Sequence, residues 1–261
     1  MQVAGSALTF SRAPLAEALD ALRRLGFERV ELAALQGWAH IDPSRLADDP
    51  EGEAERLHLA LAGAGVRAVA INAGLGAAAA AERQRRAHAL FHLAAACGIP
   101  VVTLPAGPAG GGAAAAAADL RPLVGAAALQ GVTLAVETHI GAVTQDPAAA
   151  AALCRAVPGL RLTLDPSHYW AGPAQGLGWE AAVPYVAHVH LRDAGVGGWP
   201  EIQVWPGLGA VDFAAVDGAL RAAGYVGAHA VEHIDTLPVS GGGTAPEAAV
   251  EMARRAEAWG A

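Results

Sequence analysis

Carboxylate and imidazole side chains recur at the ends of four short apolar runs in the second half of the chain. The runs read LAVETH, LTLDPSH, VAHVHLRD and AHAVEHID, and in order they carry Glu137 and His139, Asp165 and His168, His188 and His190, and Glu232. Both kinds of side chain can transfer protons, and both can bind divalent cations. A single acid at the end of a run is common, because Asp favours turns. Its recurrence in four successive runs indicates one shared site.

These four runs belong to a longer alternation of short apolar runs and helical patterns. Eight runs predict strands, at Gln2–Leu8, Glu28–Ala34, Val66–Ala73, Pro100–Pro105, Val132–Thr138, Leu160–Asp165, Val186–Leu191 and Gly227–Glu232. Several of the helical patterns between them end at a glycine, as in RRLGFERVEL and AACGIPVVTL. Glycine supplies the left-handed conformation that commonly ends a helix. The alternation therefore predicts a parallel sheet built from strand–helix units.

Eight such units in 261 residues predict a single (β/α)8 TIM barrel covering residues 1–261. The alternative, an open doubly wound sheet, usually has a GxGxxG turn after its first strand, and this chain reads GSALTF there. Active sites of (β/α)8 barrels lie at the carboxyl ends of the strands. Because strand residues alternate between faces, each of the last four strands can direct one side chain into the barrel mouth. Those side chains are Glu137, Asp165, His190 and Glu232.

Three carboxylates and one imidazole at one point would repel each other without a cation between them. A set rich in oxygen with one nitrogen suits Mn²⁺, Mg²⁺ or Co²⁺ better than a structural zinc ion, and Zn²⁺ also accepts these ligands. We therefore predict one divalent metal ion, with Mn²⁺ as the first expectation and Mg²⁺, Co²⁺ and Zn²⁺ as alternatives.

The composition excludes several other kinds of chemistry. All 17 basic residues are arginine, which excludes a Schiff-base aldolase and a P-loop NTPase, because both need a lysine. The net charge of -8 argues against a nucleic-acid partner, which usually meets a basic surface. Cys97 and Cys154 lie in alanine-rich segments without a metal-binding spacing, so both are interpreted as buried apolar residues.

No apolar run approaches the roughly 20 residues that a membrane-spanning helix needs. The first residues, Met1 to Pro14, also lack the basic segment and apolar core of a signal peptide. The expectation is therefore a cytoplasmic protein that is not inserted in a membrane, either as a single copy or as a homo-oligomer.

The chain resembles the xylose-isomerase-like TIM-barrel superfamily over essentially its whole length. The resemblance rests on LGFERVEL, LAVETH, LTLDPSH, HVHLRD, PGLGAVDF and GYVGAHAVE, in this order. It implies one divalent metal on Glu137, Asp165, His190 and Glu232, which polarises a substrate carbonyl and stabilises an enediolate. In the ketose 3-epimerases of this superfamily the two glutamates also act as acid and base on opposite faces of the substrate, which implies the same for Glu137 and Glu232. The histidine of the DxxH motif, His168, is implied to contact a substrate oxygen.

Two positions depart from the epimerase pattern. Val196 stands where those enzymes have an arginine, six residues after the histidine of strand seven, and Leu208 replaces the acid often found in PGxG. Arg192 could supply the missing cation, or it could form an ion pair with Asp193 at the barrel rim. Further substrate contacts are predicted for side chains of the strand-end loops, namely His139, Trp38, His40 and Trp205.

Three functions follow from this reading. The first is a metal-dependent isomerase or epimerase of a small sugar or polyol, and the second is an inosose- or dehydroshikimate-type dehydratase that uses the same site. The third is an endonuclease-IV-like repair enzyme, which would need further histidines after the third and fourth strands. Those strands end in INAGLG and TLPAGP, so the additional ligands are missing.

Overall fold

The computed structural model describes residues 1–259 as a closed barrel of parallel strands surrounded by helices. The strands are β1 (Gln2–Ser6), β2 (Arg29–Leu35), β3 (Ala39–His40), β4 (Arg67–Gly74), β5 (Val101–Leu104), β6 (Thr133–Glu137), β7 (Arg161–Leu164), β8 (Val186–Leu191) and β9 (Ala228–Val231). Their order in the sheet is β1-β9-β8-β7-β6-β5-β4-β2-β3, and the pairing of β1 with β2 closes the ring. The predicted (β/α)8 fold is therefore confirmed.

Helices cover the outside of the barrel. They bury the apolar side chains on the outer face of the strands, which are therefore apolar on both faces. They are α1 (Leu15–Arg24), α2 (Pro43–Asp48), α3 (Pro50–Ala64), α4 (Ala80–Ala96), α5 (Ala113–Leu129), α6 (Pro147–Ala156), α7 (Pro166–Ala171), α8 (Phe213–Ala222) and α9 (Ala245–Trp259). One continuous apolar cluster, which includes Leu32, Leu90 and Leu162, fills the space between helices and strands. Within the described residues, no helix is long and apolar enough to cross a membrane.

The structure differs from the sequence prediction in short elements. The first strand ends at Ser6 instead of Leu8, because Ser6 caps a 3-10 turn over Ala7–Phe10. The strand β3, which pairs antiparallel with β2, and the six-residue helices α2 and α7 were not predicted. The segment before β8 forms a 3-10 helix, Trp179–Tyr185, with Pro184 inside it. None of these differences changes which strand ends meet at the barrel mouth.

Candidate metal centre and active site

Glu137, Asp165, His190 and Glu232, the carboxylate–histidine quartet, converge at the carboxyl ends of β6 to β9. One potential ligand atom of each residue lies within 4.8 Å of those of the other three. Asp165 and His190 are fully buried and Glu232 is 2% exposed, while the side chain of Glu137 is 14% exposed. The four side chains that the sequence placed in the barrel mouth thus lie together, largely shielded from solvent.

The DPSH turn directs Asp165 into this cluster. Asp165 is the N-cap of α7, and its Oδ1 accepts a hydrogen bond of 2.9 Å from the backbone N–H of Ser167. Pro166 occupies the first helical position, where its missing N–H costs nothing. The backbone N–H of Asp165 donates to the hydroxyl of Thr138 at 2.9 Å. One carboxylate oxygen therefore fixes the turn, and the other, Oδ2, faces the site.

His190 connects the quartet to a carboxylate deeper in the barrel. Its Nδ1 lies 3.0 Å from Oε1 of Glu137 and 3.7 Å from Oε1 of Glu232. Its Nε2 lies 2.8 Å from Oε1 of Glu31, a fully buried residue of β2. Burial by itself would lower the pKa of His190, but the neighbouring carboxylates of Glu31 and Glu232 outweigh it and raise this pKa well above its usual value.

Arg192 lies inside the site, so the alternative of a rim ion pair with Asp193 is wrong. Its Nη2 donates to Oδ2 of Asp165 at 2.6 Å, and its Nη1 lies 3.1 Å from Oε2 of Glu232. Asp193 instead accepts the backbone N–H groups of Gly207 and Gly209 at 2.8 Å and 3.1 Å. The acid therefore stabilises the loop after β8 while the guanidinium serves the quartet.

The environments of the two glutamates differ. Burial raises the pKa of Glu232 to about 7, and repulsion from Glu137 and Asp165 adds to the effect, although His190 and Arg192 oppose it. Burial also disfavours ionisation of Glu137, but its hydrogen bond with His190 and the charge of that ring outweigh burial and lower its pKa. Two carboxyl groups whose pKa values diverge are suited to act as a base and an acid.

Sequence reasoning missed Asn72, which donates from Nδ2 to Oε1 of Glu232 at 3.0 Å. Asn72 lies near the end of β4, in the segment INAGLG. A strand-end asparagine directed into the barrel was the only available signal. It orients one oxygen of Glu232 without adding charge.

The donor set fits a divalent cation. Three carboxylates and one imidazole nitrogen meet, which is an oxygen-rich set typical of hard or borderline divalent ions. The raised pKa of Glu232 reflects carboxylates crowded in a buried place, a strain that a bound cation relieves. Of the groups that lie close enough to hold an ion among the described residues, the second, Glu31, His188 and His190, shares His190 with the first. No separate three-metal arrangement of the endonuclease kind is found there.

A cavity of about 410 Å³ opens above the quartet. Glu137 and Glu232 border it together with other polar side chains, namely Asn72, His139, His168, Arg192 and Thr236. The remaining wall is apolar and consists of Leu8, Leu35, Trp38, Ala73, Pro105, Ala142, Trp199, Ile234 and Leu237. A polar reacting group and an apolar enclosure are both present, which is typical of small-molecule sites.

His168 and His139 lie side by side in the cavity wall, with their ring centroids 3.9 Å apart. Trp199, in the loop after β8, covers them with its ring centroid 6.1 Å from that of His168 and 5.9 Å from that of His139. Nε2 of His168 lies 3.0 Å from Nη2 of Arg192. Burial, reinforced by the charge of Arg192, lowers the pKa of His168 well below its usual value, so its ring is neutral.

The predicted loop contacts lie at different places. Trp38 borders the mouth of the cavity and is 45% exposed. His40 does not line the cavity, and its Nε2 lies 3.1 Å from the carbonyl oxygen of Phe10. Trp205 does not line it either, because its ring lies against the backbone of Gly243, where a Cβ atom would collide with it.

A family model described as xylose isomerase-like TIM barrel matches residues 19–257 of the chain. No curated protein sequence matches the chain significantly.

Solved structures resemble this chain in fold over nearly its whole length. A Mycobacterium smegmatis protein with a xylose isomerase-like TIM barrel, in complex with magnesium, has 17% identity and a TM-score of 0.77, with coverage of 99% of this chain and 96% of that one. A probable 3-DHS dehydratase from Bacillus anthracis has 16% identity and a TM-score of 0.74, with coverage of 98% and 99%. A D-allulose 3-epimerase from Methylomonas sp. has 17% identity and a TM-score of 0.72, with coverage of 99% and 98%. At these identities the likeness concerns the fold.

Proposed function

The chain belongs to the xylose isomerase-like TIM barrel family, and on this premise we propose that it is a divalent-metal-dependent isomerase or epimerase of a small sugar or polyol. The reaction is removal of a proton from the carbon next to a carbonyl group, which gives an enediolate, and return of a proton to a different position or face. The support for this reaction comes from the arrangement of side chains in the site, because the fold alone is compatible with many reactions.

One observation carries the proposal. Of the four quartet residues, only Glu137 and Glu232 border the cavity, and they come from the two outer strands of the four. Asp165 and His190 lie behind them, fully buried. Two carboxylates that reach one cavity from different strands can serve two positions of a substrate, one as base and one as acid.

Glu137, Asp165, Nδ1 of His190 and Glu232 would hold the cation. When bound, a divalent cation supplies polarisation of a carbonyl oxygen and compensation of the negative charge that develops on it. Mn²⁺ is proposed first, and Mg²⁺, Co²⁺ and Zn²⁺ are compatible with the same four ligands.

The other cavity residues act on the substrate through hydrogen bonds and exclusion of water. His168 is neutral and can exchange hydrogen bonds with a hydroxyl group, while Arg192 can donate to an oxygen that gains charge. Asn72 orients Glu232, and the apolar wall with Trp38 and Trp199 shields the reacting carbon from bulk water.

A panel of ketoses, inososes and 3-dehydroshikimate tests the proposal, with Mn²⁺-loaded protein in deuterated water. The expected result is a new sugar or polyol isomer with deuterium on the carbon next to the carbonyl. The absence of both turnover and exchange from the whole panel, in protein shown to hold Mn²⁺, would contradict it.

A dehydratase is the second candidate. Glu137 and Glu232 border one cavity, so one can remove a proton while the other protonates a leaving hydroxyl group, and the Bacillus anthracis neighbour is a probable dehydratase. Deuterium exchange accompanied by loss of water, instead of isomer formation, distinguishes this reaction in the same panel.

A further inference from the structure

Glu31 forms a buried link to the quartet that the reaction above does not use. It lies on β2, across the barrel from β8, and is fully buried. Its Oε1 lies 2.9 Å from Nε2 of His188 and 2.8 Å from Nε2 of His190. One carboxylate oxygen thus accepts hydrogen bonds from two imidazole rings, which are packed edge to face with centroids 5.5 Å apart.

This contact decides which nitrogen of His190 faces the quartet. An ionised carboxylate can only accept hydrogen bonds, so Nε2 of His190 must carry a proton. Nδ1 is then the ring nitrogen left for the cation, and it lies 3.0 Å from Glu137 and 3.7 Å from Glu232. A histidine that binds a metal commonly donates its other N–H to a carboxylate, which fixes the ring and makes it a stronger ligand.

We propose that Glu31 is the positioning residue of the metal site, which holds His190 with Nδ1 directed at the cation, and that His188 in turn holds Glu31. The inference rests on the proposed metal dependence, and it adds two residues outside the cavity to the machinery of the site. The sequence supplies the geometry, because His188 and His190 are two apart on one strand and therefore point to the same side.

A purely structural role does not explain Glu31. Its second oxygen, Oε2, is buried and accepts no hydrogen bond from the side chains and backbone of residues 1–259. A buried carboxylate with an unpaired oxygen destabilises a fold, and apolar residues of similar volume often replace buried ion pairs without loss. Glu31 also does not line the cavity, so contact with substrate does not explain it either.

Mn²⁺ titration of the apo protein by calorimetry tests the proposal. Replacement of a carboxylate that hydrogen-bonds to a metal-binding histidine typically weakens metal binding 10–100-fold. We expect a loss of Mn²⁺ affinity of about this size for Glu31→Gln. Asp217→Asn is the matched control, because Asp217 is also a buried carboxylate beside a histidine, with His229 Nε2 at 3.8 Å, but it lies on α8. Its Mn²⁺ affinity should equal that of the unaltered protein. If a folded Glu31→Gln protein binds Mn²⁺ as tightly as the unaltered protein does, the proposal is overturned.

Two further measurements keep the test decisive if Glu31→Gln does not fold. His188→Leu leaves Glu31 in place and removes one of its two hydrogen-bond donors, so a smaller loss of Mn²⁺ affinity is expected, and no loss counts against the role of His188. In the Zn²⁺-loaded unaltered protein, long-range ¹H–¹⁵N spectra should show His190 bound through Nδ1 and protonated at Nε2, with its signals assigned by their absence in His190→Gln. Zinc on Nε2 would overturn the proposal. If the unaltered protein binds neither ion, the metal dependence itself fails, which is a different result.

Discussion

Nη2 of Arg192 lies 2.6 Å from Oδ2 of Asp165, and both side chains are almost completely buried. The same guanidinium reaches Glu232 at 3.1 Å, so two of the four proposed metal ligands share one internal cation. Arg192 therefore compensates part of the negative charge of the quartet and lies at the wall of the cavity.

Replacement of this cation should expose the repulsion within the quartet. Removal of one partner of a buried ion pair typically costs about 3–5 kcal/mol, and we expect a loss of this order for Arg192→Met in urea unfolding of the apo protein. Mn²⁺ should recover part of the loss, because the ion compensates the same carboxylates. The exposed pair of Arg254 with Glu251 provides the control, where Arg254→Met should cost less than about 1 kcal/mol. Equal stability of the two variants would show that Arg192 carries no such role.

Metal binding should depend on Asp165 and should stabilise the fold. Ligand at 100 times its dissociation constant stabilises the native state by about 2.7 kcal/mol, so Mn²⁺ should raise the melting temperature of the apo protein. Asp165→Asn removes a charged ligand while the amide oxygen can still cap α7, and its melting temperature should rise only at much higher Mn²⁺ concentrations. An identical Mn²⁺ response of the variant would exclude Asp165 from the ligand set.

His168→Asn should weaken substrate binding while the metal is retained. The ring borders the cavity and contacts Arg192, but it is not one of the four ligands. We expect a raised KM with Mn²⁺ affinity unchanged, measured on whichever substrate the panel identifies. A loss of Mn²⁺ affinity would instead place His168 in the metal site.

Stability should fall in mild acid because of buried neutral histidines. Burial lowers the pKa of His229 from 6.5 to about 3. Between these values the unfolded state binds one more proton at this ring, so the contribution of His229 is fully present above pH 6.5 and is lost progressively as the pH falls towards 3. The free energy of unfolding should drop by up to about 1.4 kcal/mol per pH unit from this group, and His229→Gln should make the decline less steep by that amount.

Urea unfolding between pH 7.5 and pH 4.5 measures these slopes. His58→Gln, at an exposed position of α3, is the control, and its slope should match that of the unaltered protein. A His229→Gln slope that also matches would show that His229 titrates normally in the folded protein.

The barrel and the quartet could be predicted because both follow from periodic signals. Glycine-ended helices and apolar strands specify the eight units, and the carboxyl-end rule then selects Glu137, Asp165, His190 and Glu232. The short elements β3 and α7 escaped prediction, since two or six residues carry too little periodicity.

The contacts across the barrel could not be read from the sequence. Asn72 and Glu232 are 160 positions apart, and Glu31 and His190 are 159 apart. Such pairs depend on the register of strands that the chain brings together only on folding. Whether the side chain of Arg192 points into the site was equally undetermined, because Asp193 follows it directly and could have paired with it. The glycines whose N–H groups bind Asp193 instead lie 14 and 16 residues further along the chain.

The proton work assigned to Glu137 and Glu232 is the central claim, and hydrogen exchange at the substrate carbon tests it most directly. Turnover and deuterium exchange of Mn²⁺-saturated Glu137→Gln and Glu232→Gln proteins are compared with those of the unaltered protein in deuterated water. Each experiment is started from each of the two substrate stereoisomers that differ at the reacting carbon. Because acid–base catalysis typically contributes about 10²–10⁴-fold, each variant should lose at least that factor in turnover, and each should suppress exchange from one stereoisomer more than from the other. Equal suppression from both stereoisomers would indicate a single base, as in a dehydratase. Undiminished exchange and turnover in either variant would contradict the assignment.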